Sequence, residues 1–186
     1  MNLADEYQQR CSVTSDMQES MRDLYGWALW WAPARICELG VRSGNSTVAF
    51  LAALSAEQSR GQYGHLWSFD IEPPEVPEVV ADCPWWTFTR ADVREAGTPR
   101  LLPGQVDVLF IDTDPHTYES LYTELELWAP RVARGGVILA HDADTAEFPG
   151  IPRALADYCR NARIQGRHYD LRIKEGRWGL GILRYR

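Results

Sequence analysis

Apolar and polar positions alternate along this chain in two rhythms, one of period 3.6 and one of short buried runs, and the two take turns. Met17, Met21, Leu24, Ala28 and Trp31 recur at helical spacing and predict a helix over 15–31, with Ser15 and Gln18 as a capping box and Pro33 as its stop. Residues 34–40 form a short apolar run halted by Gly40, which reads as a buried strand, and 47–54 resume as a helix. Strand-like runs follow at 66–70, 86–90, 106–111 and 137–140, with a proline-rich stretch at 73–84 and a turn expected at Gly135-Gly136. Amphipathic helices are expected at 118–128 and 151–163. Two closing strands, 169–173 and 179–185, flank the turn Lys174-Glu175-Gly176, which is too short for a crossover and makes them antiparallel. Strands alternating with helices predict an open, doubly wound, mostly parallel sheet with one reversed strand near an edge.

The length, 186 residues, suits one domain over 1–186, with an N-terminal helical segment at 1–32 and the α/β core at 33–186. Hydrophobic residues make up 45% and charged residues 24%, which is the balance of a globular chain. No apolar run is long enough to span a bilayer and no secretory leader opens the sequence, so a cytoplasmic protein is expected, with no membrane partner. Cys11, Cys37, Cys83 and Cys159 are scattered and suggest neither a zinc knuckle nor a disulfide framework. The net charge of −7 and the dispersed arginines argue against a nucleic-acid partner, whose phosphates call for a clustered basic face. Lys174 is the only lysine, which leaves almost no room for Schiff-base or phosphate-cradling lysine chemistry, and the absence of any G-K-[ST] removes a Walker loop.

Ligands of doubly wound sheets bind beyond the carboxyl ends of the strands. Here every parallel strand ends on an acid: Glu38, Asp70, Asp92, Asp112 and, after His141, Asp142. The first strand runs into Glu38-x-Gly40-x-x-x-Gly44-x-Ser46, whose glycines allow a tight turn and a close backbone approach. Arg42 stands where the second glycine of the dinucleotide fingerprint would be, so the loop suits a ligand without a pyrophosphate. Asp70, followed by Ile71, is placed to accept from both ribose hydroxyls. Asp92 could accept from an adenine amino group, with Val93 offering backbone. The bland alternative for each aspartate is a turn or cap. Trp27, Trp30, Trp31, Trp85 and Trp86 read mainly as packing residues.

The segment Ile36 to Thr47 resembles the glycine motif of class I S-adenosylmethionine-dependent methyltransferases. The stretch Phe110-Ile111-Asp112-Thr113-Asp114-Pro115-His116-Thr117-Tyr118-Glu119 resembles the signature of a small-molecule O-methyltransferase branch, which includes macrolide sugar O-methyltransferases and cephalosporin-hydroxylase-like proteins. Glu124-Leu125-Glu126-Leu127-Trp128 and Gly135-Gly136-Val137-Ile138 fit the same pattern. The resemblance implies a Rossmann-like α/β fold with one antiparallel strand near the C-terminus. It implies that Glu38, Gly40, Gly44 and Ser46 line the methionine end of S-adenosylmethionine, Asp70 and Ile71 the ribose, and Asp92 and Val93 the adenine.

Several members of that family bind Mg2+ through acids after the fourth and fifth strands, which match Asp112 and the pair His141-Asp142. An imidazole is an unusual magnesium ligand. A metal-free alternative therefore has Asp112 and Asp142 orienting substrate hydroxyls, and Asp144 is a further acid nearby. His116 is the candidate general base, because methyl transfer to a hydroxyl needs a proton acceptor and a histidine of near-neutral pKa suits that role. Pro115 lengthens the spacing to it by one residue. The expected function is O-methylation of a small-molecule acceptor, a sugar or polyketide-like metabolite. Competing readings are an NAD-dependent oxidoreductase and a non-catalytic adenosylmethionine-binding protein. A homo-oligomer is also open, since so short a chain leaves little room for a lid.

Overall fold

A computed structural model describes residues 2–32 and 34–186. Pro33, the expected helix stop, lies outside the described residues. The chain divides into two compact units, residues 1–91 and 92–186.

The first unit opens with α1 (Leu3–Ser12), which the apolar pattern did not reveal. Asn2 and Asp5 form a capping box on it, and Leu3, Glu6 and Tyr7 are its buried residues. The expected helix over 15–31 is α2 (Gln18–Trp30), and its cap differs from the expectation. Met17 holds the N-cap position without a side-chain bond, and the Gln18 amide instead donates back to the Cys11 carbonyl at 3.1 Å. Met21, Leu24 and Ala28 bury the helix face, as the spacing required. Then come β1 (Arg35–Leu39), α3 (Asn45–Gln58), β2 (His65–Asp70), the short α4 (Glu78–Ala81) inside the proline-rich stretch, and β3 (Trp86–Arg90). The three strands are parallel in the order β3-β2-β1, with Leu39 opposite Phe69 and Asp70 opposite Arg90. That register brings the carboxyl ends of β1 and β2 level. α3 is apolar nearly all round, with Val48 to Leu54 buried, because it packs against both α1 and α2.

The second unit contains β4 (Val106–Ile111), α5 (Tyr118–Trp128), β5 (Val132–His141), α6 (Gly150–Ile164), β6 (Tyr169–Lys174) and β7 (Leu180–Tyr185). β4 and β5 are parallel, and β7 lies antiparallel between β5 and β6, giving the order β4-β5-β7-β6. This is the α/β, Rossmann-like pattern with a single reversed strand. The turn expected at Gly135-Gly136 is instead an irregularity within β5, where pairing shifts between Val106 and Val108. Gly135 sits there at φ +89°, and a Cβ on Gly136 would lie 2.7 Å from the Asp107 carbonyl oxygen. No helix among the described residues is long and apolar enough to cross a membrane.

Candidate active site

In the first unit, the loop between β1 and α3 has left-handed backbone at Gly40 (φ +87°), Arg42 (φ +48°) and Gly44 (φ +74°). Arg42 thus adopts a conformation that glycine takes without strain, at a cost of about 1–2 kcal/mol for a side-chain residue. Gly44 caps α3, and a Cβ there would lie 2.6 Å from Cγ1 of Val76.

Asp70 secures this loop. Its Oδ2 accepts from the amides of Val41 at 2.7 Å and Arg42 at 3.3 Å, and Oδ1 from the amide of Glu72 at 3.1 Å. Glu38 is fully buried at the end of β1, and its Oε2 accepts from Thr47 Oγ1 at 2.9 Å and Ser68 Oγ at 2.6 Å. Trp86 Nε1 in turn donates to Ser68 Oγ at 2.9 Å. Ser46 is buried in the first turn of α3, and Ile71 is exposed.

In the second unit, Asp92 Oδ1 accepts from the Arg94 amide at 2.9 Å and faces the Arg94 guanidinium at 3.5 Å. Val93 is buried, and its carbonyl accepts from Trp128 Nε1 at 2.7 Å, a backbone group committed to packing.

Asp112, His116, His141 and Asp142 converge beyond β4 and β5. His116 Nε2 lies 2.9 Å from Asp142 Oδ2 and 3.4 Å from Asp112 Oδ1, so the added Pro115 does not swing it away from the strand ends. His141 Nδ1 lies 3.3 Å from Asp142 Oδ1 and 3.5 Å from Asp112 Oδ1. Asp142 is left-handed at φ +60°, a strained position for a non-glycine residue. The His116 ring stacks on Phe148, centroids 4.6 Å apart. Asp144 has a different partner set: its carboxylate accepts from the Gly176 amide and its own amide donates to the Trp178 carbonyl, which ties down the β6–β7 turn.

The charges are strongly coupled. Burial pushes the Asp112 and Asp142 carboxyls up, but hydrogen bonds from His116 and His141 outweigh it and hold both below the usual carboxylate range. Hydrogen bonds to Asp112 and Asp142 raise His116 to about 10. His141 is also raised against the opposing effect of its burial. A near-neutral histidine was expected at 116; the carboxylates facing it shift it upward.

Behind the cluster, Glu124 is buried on α5 and accepts from Thr113 Oγ1 at 2.6 Å. Burial raises its carboxyl to about 7. A small pocket of about 10 Å³, room for one water, is lined by Glu124 and His141 together with Asp112, Thr113 and His116. His141 Nε2 is buried with no hydrogen-bond partner among the described residues. Glu124 had two readable signals, its place in the family-like run 124–128 and its spacing from Leu121 and Trp128 on the buried face of α5. Phe148 had none.

The sequence model of a methyltransferase domain matches residues 37–143, more than half of the chain. The chain belongs to that family. It is an S-adenosylmethionine-dependent methyltransferase, and the oxidoreductase and non-catalytic alternatives fall. No curated protein matches it in sequence. Among solved structures, the apo form of CalS11, a TDP-rhamnose 3'-O-methyltransferase of calicheamicin biosynthesis, superposes with a TM-score of 0.65 at 24% identity over 89% of this chain and 77% of that one. The S-adenosylhomocysteine-bound methyltransferase PaMTH1 of Podospora anserina gives 0.64 at 14% identity over 99% and 87%. The mycinamycin-pathway methyltransferase MycE, in complex with Mg, S-adenosylhomocysteine and mycinamycin VI, gives 0.64 at 15% identity over 98% and 53%.

Proposed function

We propose that this methyltransferase alkylates a hydroxyl of a small metabolite, a sugar or polyketide-like natural product, with His116 and Asp112 handling the proton. The observation that carries the reading is the convergence of His116 with two carboxylates just past β4 and β5. CalS11 and MycE, proteins of the same fold whose names or complexes point to a sugar and a macrolide, support the substrate class.

In the reaction, the acceptor oxygen forms a bond to the methyl carbon as the carbon–sulfur bond breaks, and the hydroxyl proton must leave. His116 accepts it at Nε2, the atom that faces Asp112 and Asp142. The neutral ring is the competent form. The carboxylates make it a strong base but keep most of it protonated at neutral pH. Phe148 fixes the ring plane. On the donor side, Asp70 holds the loop amides, and Glu38, Gly40, Gly44, Ser46, Ile71 and Asp92 are the proposed cofactor contacts; the Val93 carbonyl is already taken by Trp128.

Ligand atoms of Asp112, His116 and Asp142 lie within 4.8 Å of one another, a spacing that fits a divalent cation. The two carboxylates suit magnesium, whereas either histidine suits a softer ion better. Asp112 and Asp142, with His141 completing the set so that His116 stays free for the proton, would hold it, and a bound cation would supply Lewis acidity to the acceptor oxygen. The test is a screen of hydroxylated metabolites with methyl-labelled cofactor. Label transferred to a hydroxyl is expected; transfer confined to nitrogen, carbon or macromolecular acceptors would overturn the reading.

A further inference from the structure

The N-terminal helix does more than cover α3. It carries Arg10, whose Nη1 donates to the Ser43 carbonyl and to Asn45 Oδ1, each at 2.7 Å. Ser43 lies within the glycine loop and Asn45 is the first residue of α3. Arg10 therefore binds the loop from the side opposite to Asp70 in bonding character. Asp70 takes the loop's amides at Val41 and Arg42, while Arg10 takes its carbonyl at Ser43.

The arginine is itself held. Nε donates to Glu6 Oε1 at 2.6 Å, one turn back on α1, and the Glu6 carboxylate is buried. Helix α1 is anchored independently of that pair, by its capping box, by buried Leu3, and by Tyr7 stacked on Tyr25 at 4.9 Å. A guanidinium fixed at Nε and aimed through Nη1 is a rigid strut, and charge-assisted bonds to a carbonyl and an amide oxygen are stronger than neutral ones. A second link, Arg42 to Asp16 at 2.7 Å, joins the loop to the segment before α2 but is largely exposed and contributes little.

The need for a strut follows from the loop's own backbone. Three of its residues, Gly40, Arg42 and Gly44, are left-handed, and Gly44 caps α3 without a side-chain bond. Such a loop has many alternatives when free and must be ordered before a ligand can seat against it.

We infer that Arg10 is a positioning residue for the cofactor: by clamping Ser43 and Asn45 it pre-orders the glycine loop that receives S-adenosylmethionine. This rests on the reading that the loop over residues 40–46 takes the cofactor. It assigns a binding function to a segment outside the matched methyltransferase region of residues 37–143.

The experiment is calorimetric titration of the intact protein with S-adenosylhomocysteine, comparing wild type with R10A, R10K, N45A and R10A/N45A. R10A is expected to weaken binding about tenfold, and R10K to recover part of the loss because a lysine can still donate to both oxygens. The double variant should lose less than the sum of the singles, since both remove one shared bond. Amide exchange in unliganded R10A should quicken at Val41 and Gly44 while β1 and β2 keep their protection. A folded R10A that binds as tightly as wild type, or additive losses in the double variant, overturns the inference. If R10A does not fold, N45A alone decides: unchanged affinity and unchanged loop exchange would also sink it. Wild-type protein that shows no binding of S-adenosylhomocysteine would instead overturn the assignment of the loop itself.

Discussion

His116 Nε2 sits 2.9 Å from Oδ2 of Asp142, a residue whose own backbone is left-handed. The contact thus joins the proposed base to a strained position, and asparagine, which tolerates that conformation, separates charge from shape. Asp142→Asn should keep the fold while removing one of the three carboxylates that face His116, Asp112 and Asp114 being the others. His116→Ala should bind S-adenosylhomocysteine normally and lose about 10²–10⁴ in methyl transfer, the usual cost of a missing general base. Single-turnover rates with labelled cofactor check both. Near wild-type transfer by the alanine variant would remove His116 from the chemistry.

Asp112 faces both histidines, at 3.4 and 3.5 Å, and is the remaining acid of the candidate metal set. If a cation takes part, chelation should abolish transfer and re-addition of magnesium or manganese should restore it. Full turnover in excess chelator would leave Asp112 and Asp142 as hydrogen-bond acceptors alone.

Asp70 accepts three backbone amides. Asp70→Ala leaves the Val41 and Arg42 donors without their carboxylate and removes the proposed ribose contact. A weakening of cofactor binding by about 1.5–3 kcal/mol is expected, roughly 10- to 150-fold. Calorimetry reads it directly. A loss below threefold would mean that neither the loop nor the ribose depends on this carboxylate.

Glu124 gives a stability signature of opposite sign to most carboxylates. Burial raises its carboxyl from 4.5 to about 7, so the folded protein holds a proton that the unfolded chain has released. Its contribution is fully present below about pH 4.5 and is lost as pH rises through about 7. Glu124→Gln removes that slope and should leave the protein relatively more stable at pH 8 than at pH 5. Urea melts at the two pH values, compared between wild type and variant, test this; an unchanged difference would rule it out.

Much of the architecture was legible because buried strands need apolar runs and the closing strands alternate. Tyr169 to Lys174 alternate part-buried and exposed, a clean half-buried pattern. α1 escaped because only Leu3 and Tyr7 offer apolar burial, although Asn2 and Asp5 carried its capping signature. Within β5, Gly135-Gly136 reads locally as a turn, and only pairing with β4 shows that the strand runs through it. The strand-end acids could be read from position alone, but their partners could not. That Asp70 serves the loop amides, that Val93 gives its carbonyl to Trp128, and that Asp142 joins Asp112 in shifting His116 upward all depend on residues distant in sequence.

The order β4-β5-β7-β6 sets a timing problem during synthesis. β5, which ends in His141, is covered on one side by β4, made before it, and on the other by β7, residues 180–185. At about 5–20 residues per second, the roughly forty residues that separate them take about 2–8 s to appear. For that interval Val137 to Ala140 present an open apolar edge to any nascent neighbour, and β6, made first, is a competing partner for it. Slowed translation after residue 141, or crowding on polysomes, should therefore reduce soluble yield before it touches the chemistry.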